Sequence, residues 1–136
     1  MTTFDWNDRY SIGLQHVDEH HQHLFSLLNK LYNDFTNKIR GDNITSLFDE
    51  LVDYATYHFS AEEYWMQESF FPHFEKHKEE HALFTRRVVE MHKDYHEGKR
   101  QISLELLTFL NDWLSAHILQ SDAEFGRFIN AGNFRI

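Results

Sequence analysis

Four stretches of this 136-residue chain place apolar residues at steps of three and four, and seven histidines and acids fall on the same faces. Such steps are the period of an α-helix with one buried side. The first helix is predicted from about Asp18 to about Lys38, with Asp18 as N-cap and Gly41 as its stop. Its stripe is Val17, His21, Leu24, Leu28, Leu31 and Phe35. The second runs from about Asn43 to about Glu68, with Leu47, Leu51, Ala55, His58 and Glu62 on one side. Pro72 suits the first turn of a third helix that reaches about Glu97, where Gly98 gives a C-terminal signal. That stripe is Phe74, His77, His81, Phe84, Val88, Met91 and Tyr95. A fourth helix begins near Ser103 and shows Leu106, Leu110, Trp113 and His117.

Four helices of similar length with short links make an all-α, up-down-up-down four-helix bundle the economical fold. Residues 1–16 lack the helical period but carry Trp6 and Tyr10, which predicts an N-terminal arm packed over the bundle. The bundle and a C-terminal segment then occupy about 18–128, with the tail beyond Ile129 on the surface. A length of 136 residues is that of one domain, 1–136.

Composition narrows the function classes. Asp and Glu number 22 against 13 Lys and Arg, a formal charge of -9, which argues against nucleic acid and anionic membranes as partners. The absence of cysteine removes disulfides, thiolate zinc sites and iron–sulfur clusters. No apolar run approaches membrane-spanning length, and the opening Met-Thr-Thr-Phe-Asp-Trp does not read as a secretory signal. A cytoplasmic location is the expectation.

The seven inward polar residues are His21, His58, Glu62, His77, His81, His117 and Asp122. Burying imidazole or carboxylate is costly without a partner that replaces lost hydration. Positions four apart differ by only about 40° around a helix, so His58/Glu62 and His77/His81 each aim two donors at one point. His117 and Asp122 are five apart and would diverge by about 140° in a regular helix. The fourth helix must therefore bulge locally, or end near Gln120 so that Asp122 turns back. A single inward histidine is more often a hydrogen-bonded core residue, and 11 histidines make some chance pairs expected. Two aligned pairs on consecutive helices reverse those odds. The remaining six (His16, His20, His23, His73, His92 and His96) lie off the stripes, where solvent is the ordinary surrounding.

Five imidazoles count against calcium and magnesium, and one tetrahedral zinc would strand three donors in the core. Imidazole with carboxylate suits iron, copper or zinc, and seven donors suit two ions bridged by Glu62 and Asp122. With a bridging oxide, these donors fill all but one position of two six-coordinate ions. Around that vacancy Leu24, Phe59, Trp113, Leu114 and Ile118 would form a small, dry, apolar pocket. Such a pocket admits a diatomic gas more readily than a charged substrate.

The residues resemble the hemerythrin family, and within it the bacteriohemerythrin branch. The resemblance rests on Trp6-Asn7-Asp8-Arg9-Tyr10, Asp18-Glu19-His20-His21, His58-Phe59-Ser60-Ala61-Glu62-Glu63, His77-Lys78-Glu79-Glu80-His81 and His117-Ile118-Leu119-Gln120-Ser121-Asp122, in that order along nearly the whole chain. It implies reversible O2 binding at a non-haem di-iron centre, with nitric oxide or small anions as other ligands. His77, His81 and His117 would hold one iron and His21 and His58 the other. Glu62, Asp122 and an oxide or hydroxide would bridge them, and O2 would bind at the iron with two histidines. The five pocket residues would form the oxygen pocket. One position departs: the family usually carries glutamine before the first ligand, and here it is His20, expected behind a ligand or on the surface.

Three function classes follow. A gas-binding protein for oxygen storage or delivery leads, because one coordination position is open beside an apolar pocket. A di-iron oxidase or peroxidase ranks below it, since ferritin-like oxygen-activating sites use more acids and Glu-x-x-His pairs. A sensor of O2, nitric oxide or redox state is the third class; it would need an output partner.

Overall fold

The computed structural model describes residues 6–37, 42–99 and 103–132. Its helices are α1 (Gln15–Thr36), α2 (Asp42–Glu68), α3 (Phe74–His96), α4 (Leu104–His117) and α5 (Ala123–Gly132), with a π-helical turn at Ile118–Asp122 joining the last two. Together they form the up-down-up-down four-helix bundle, the fourth rod being α4, the π turn and α5 in succession. Helix α1 packs against both α2 and α4, and α2 against α3.

The predicted stripes are the buried faces. On α1, Val17, His21, Leu24, Leu28 and Leu31 are inside, joined by Phe25 and Leu27, which a single-file stripe omits. On α2 the large anchors are Phe48 and Met66, both fully buried, whereas Leu47 and Ala55 are only half-buried. Each buried side chain of this size contributes about 1.5–3 kcal/mol relative to exposure. The bundle therefore has ample apolar stabilisation around a polar centre.

Several predicted boundaries shift. Asp18 is not the N-cap of α1; Leu14 holds that position, and Asp18 sits in the first turn. There its carboxylate accepts hydrogen bonds from the Ser11 hydroxyl and from the Ile12 backbone N–H at 2.9 Å, fastening the arm instead of the helix end. Gly41 lies outside the described residues. Pro72 precedes α3 in a turn instead of sitting in its first turn, and His73 is the N-cap. The preceding Phe70 adopts φ +58°, a left-handed conformation that ends α2 while Phe71 N–H bonds back to the Met66 carbonyl at 3.0 Å. Gly98 fulfils its predicted role with φ +75° just past α3, and Ser103 caps α4 by accepting from the Leu106 N–H. The chain beyond Ile129 continues as helix to Gly132.

The arm is shorter than predicted, because α1 starts at Gln15. A 3-10 turn at Asp8–Tyr10 places Tyr10 and Trp6 on Phe25 of α1, with ring centroids 4.8 and 6.2 Å away. The arm then crosses α5 so closely that a Cβ on Gly126 would collide with the Ile12 carbonyl oxygen. Gly126→Ala should therefore destabilise the protein by about 1–3 kcal/mol, the cost of overpacking a filled contact. Denaturant unfolding measures this; an unchanged midpoint would mean that the arm does not bear on α5.

Candidate metal centre

Helices α1 to α4 and the π turn deliver buried polar side chains to one level of the core. All seven predicted residues are brought together there: His21 from α1, His58 and Glu62 from α2, His77 and His81 from α3, His117 from α4 and Asp122 from the π turn. All seven are buried, with His21, Glu62 and Asp122 wholly so. The short turn between α2 and α3 sets the pair His58/Glu62 opposite the pair His77/His81.

The π turn is the irregularity that the five-residue spacing required. Its i→i+5 pattern adds a residue to the turn and brings Asp122 round to the His117 face. Asp122 Oδ1 lies 3.2 Å from His117 Nε2 as a result. Glu124, the rival acid, is instead partly exposed and 3.4 Å from His73 Nε2.

The donors sort into two overlapping groups. One comprises His77, His81, His117, Glu62 and Asp122, the other His21, His58, Glu62 and Asp122, with ligand atoms in each within 4.8 Å of one another. Every imidazole presents Nε2. Glu62 Oε1 is 2.8 Å from His77 and 3.2 Å from His81, while its Oε2 is 3.2 Å from His58 and 3.7 Å from His21. Asp122 divides likewise, Oδ1 being 2.8 Å from His77 and Oδ2 3.1 Å from His21. Each carboxylate thus offers one oxygen to each group, the disposition of a bridge between two ions.

Hydrogen bonding within the cluster is incomplete. Glu62 Oε2 and both oxygens of Asp122 are buried without a hydrogen-bond partner. The Nε2 atoms of His21 and His58 stand 3.1 Å apart, and those of His81 and His117 3.0 Å. Lone pairs converging at these distances, with acceptor oxygens left over, are what cations would satisfy. The donor set of imidazole and carboxylate fits first-row transition ions.

Outer partners hold several rings from behind, and the sequence patterns missed two of them. Glu63 Oε2 takes the Nδ1 proton of His81 at 2.9 Å, and Glu80 lies 3.8 Å from His117 Nδ1 while accepting from the Ser121 hydroxyl at 2.7 Å. Both acids lie beside or one turn from a stripe position, a signal that adjacency to a ligand could have supplied. His20 occupies the same role for His58, Nδ1 to Nδ1 at 3.0 Å, with its ring 5.4 Å from both Tyr57 and Trp65. With a metal on Nε2 the remaining proton of His58 would sit on Nδ1, so His58 would donate and His20 accept.

Beside the cluster is a wholly apolar cavity of about 30 Å³, walled in part by Leu24, Phe59 and Leu114. Phe59 stacks on His81 at 4.1 Å. Trp113 and Ile118 do not line this cavity: Trp113 stacks on His117 at 4.5 Å and on Phe84 at 3.8 Å, and Ile118 is fully buried at the head of the π turn.

The sequence model described as "Hemerythrin HHE cation binding domain" matches residues 12–129. The chain belongs to the hemerythrin family. It is 34% identical to a bacteriohemerythrin of Stenotrophomonas maltophilia, covering 96% of this chain and 84% of that one. It is 31% identical to one of Methylococcus capsulatus, covering 96% of this chain and all of that one. A wild-type hemerythrin crystal structure superposes with a TM-score of 0.83 at 28% identity, over 93% of this chain and 95% of that one. Among the described residues of this hemerythrin-family chain, no helix is long and apolar enough to cross a membrane.

Charge within the cluster predicts how stability follows pH once metal is stripped by a chelator. Burial pulls His21 and His77 down, but the Asp122 and Glu62 oxygens outweigh it and push them up to about 9 and about 10. Their stabilising effect is complete below the ordinary value of 6.5 and lost as pH rises through about 9–10. Burial and the neighbouring His58 and His21 lower His20 to about 4, and burial also lowers His58, so their effect is complete above 6.5 and lost as pH falls. Burial works against ionised Glu62 and Asp122, yet the surrounding imidazoles hold both well below the usual carboxylate range, so they weaken the fold only at greater acidity. The stripped protein should be most stable near pH 6.5. Metal competes with protons for the same nitrogens, so the stabilisation it adds should grow toward alkaline pH. Thermal unfolding with and without metal tests this; a stripped protein whose Tm climbs steadily above neutrality would contradict it.

Proposed function

We propose that this chain binds dioxygen reversibly at a di-iron centre held by His21, His58, Glu62, His77, His81, His117 and Asp122, in oxygen storage, delivery or sensing. The observation that carries the proposal is the divided carboxylate pair, each oxygen of Glu62 and Asp122 facing a different group of imidazoles. Membership of a cation-binding family and similarity to bacteriohemerythrins support it. Reduced iron held there would lend electrons to dioxygen on binding and take them back on its release.

The protein's own residues do the rest. His77, His81 and His117 would give one ion three nitrogens, whereas His21 and His58 would give the other two, which would leave the latter a donor short and open to a ligand. Glu63 and His20 fix the ring planes of His81 and His58 through their Nδ1 protons, keeping Nε2 aimed inward. Leu24, Phe59 and Leu114 exclude water. A cavity of about 30 Å³ exceeds the roughly 10–15 Å³ that a water-sized guest needs, so a diatomic ligand fits, and an entirely apolar lining keeps it dry. With no acid or base on that lining, the pocket suits holding a neutral gas more than driving proton-coupled turnover, which sets the oxidase or peroxidase reading second.

Two measurements test the function. Iron-loaded protein should contain two irons per chain and show visible absorption in air that fades on deoxygenation and returns with oxygen. An irreversible change, or turnover of peroxide above the free-iron background, would replace oxygen carriage with the enzyme reading. Leu24→Phe fills the cavity from a position one turn beyond His21. It should leave iron content unchanged and weaken oxygen binding by about tenfold or more, or about 1.4 kcal/mol. Oxygen affinity equal to that of the unsubstituted protein would remove the cavity from the mechanism.

A further inference from the structure

Far from the buried centre, α3 carries another pair of histidines one turn apart, His92 and His96, facing Asp49 on α2. Their off-stripe positions suggested plain solvation, but both are engaged. Each directs Nε2 at the same oxygen, Asp49 Oδ1, at 2.6 and 2.8 Å. The two rings are 4.5 Å apart, and the donor atoms of all three residues lie within 4.8 Å of one another. At 1.5 Å per residue along α2, Asp49 stands about 20 Å from Glu62, so this trio is a separate place in the fold.

Its frame is held from beneath and open above. Phe48, fully buried next to Asp49, meets the His92 ring edge-on at 5.1 Å. Tyr95, beside His96, hydrogen-bonds to Thr45 of α2 at 2.8 Å. The side chains of Asp49, His92 and His96 are 43%, 26% and 42% exposed, so water reaches any ion bound among them.

We propose that Asp49, His92 and His96 form a second metal site, for a single divalent ion of the zinc class, that clasps α2 to α3. Two imidazoles and a carboxylate with water in the remaining position are a zinc donor set, and the nitrogens count against calcium and magnesium. Copper(II) and nickel(II) suit the same donors. With its proton on Nδ1, each ring turns the Nε2 lone pair toward the ion. Ligand atoms around tetrahedral zinc lie about 3.3 Å apart, given bonds of about 2.0–2.1 Å. Asp49 must therefore retreat by roughly half an ångström from the imidazoles, which its solvent-facing side allows.

The test titrates zinc calorimetrically into protein whose buried centre already holds iron, following iron content and visible absorption throughout. A single additional zinc per chain is expected, with iron undisturbed. His92→Ala/His96→Ala and Asp49→Ala should each weaken that zinc by about tenfold or more. Copper(II) at the site should show nitrogen splitting from two imidazoles in the unsubstituted protein and from one in His96→Ala. Thermal unfolding without zinc verifies that the variants fold. If the buried centre itself takes zinc, the difference between the unsubstituted protein and the double variant still remains one ion, so the two readings are tested separately. No zinc beyond the buried centre, equal uptake by both proteins, or uptake matched by iron loss would each overturn the proposal and leave a hydrogen-bonded clasp.

Discussion

Two carboxylates enclosed by five imidazoles in the middle of an apolar bundle are the constraint to which the other features answer. An ionised carboxylate removed from water loses several kcal/mol of hydration even after the surroundings relax. Glu62 and Asp122 are wholly buried, so that loss is met only by charge placed within a few ångströms. The imidazoles meet part of it, and the two groups of donors leave room for cations to meet the rest. Helix positions, the π turn and the short α2–α3 connection can all be understood as what brings these donors to one level.

The asymmetry of the cluster has its own physical basis. One donor group has three nitrogens and the other two, while both acids are shared, so the groups differ in donor number without differing in charge type. The residues behind the rings differ as well. A carboxylate from Glu63 accepts the His81 proton, whereas behind His58 stands the imidazole of His20, Nδ1 to Nδ1. A carboxylate behind a ligand ring makes it more basic than an imidazole does. His20 would thus leave the two-nitrogen group with the weaker donor push.

Much of this was legible in the residues because helical period and ligand spacing are local properties. His58/Glu62 and His77/His81 announce themselves by being four apart on apolar stripes, and the five-residue gap from His117 to Asp122 demanded the distortion found at Ile118–Asp122. Less legible were contacts between helices at positions outside the stripes. Asp49 is separated from His92 and His96 by more than forty residues, and nothing in the local pattern of either helix pairs them. Asp18 has the residue type of a helix cap, but the bend of the arm turned its carboxylate to Ser11 and Ile12. The pocket shows the same limit: Trp113 has the right spacing, yet its ring is committed to stacking on His117 and Phe84.

Residue order alone implies four amphipathic helices, seven nitrogen and oxygen donors facing inward, and an irregular turn before the last of them. These follow from the angle between successive residues on a helix, which the chain carries wherever it folds. Helix packing sets which oxygen of each carboxylate faces which imidazoles, which residues stand behind the rings, and where space remains for a ligand. Those depend on helix separation and relative rotation, set by how Phe25, Phe48, Met66 and their neighbours fill the core, and no spacing within one helix encodes them.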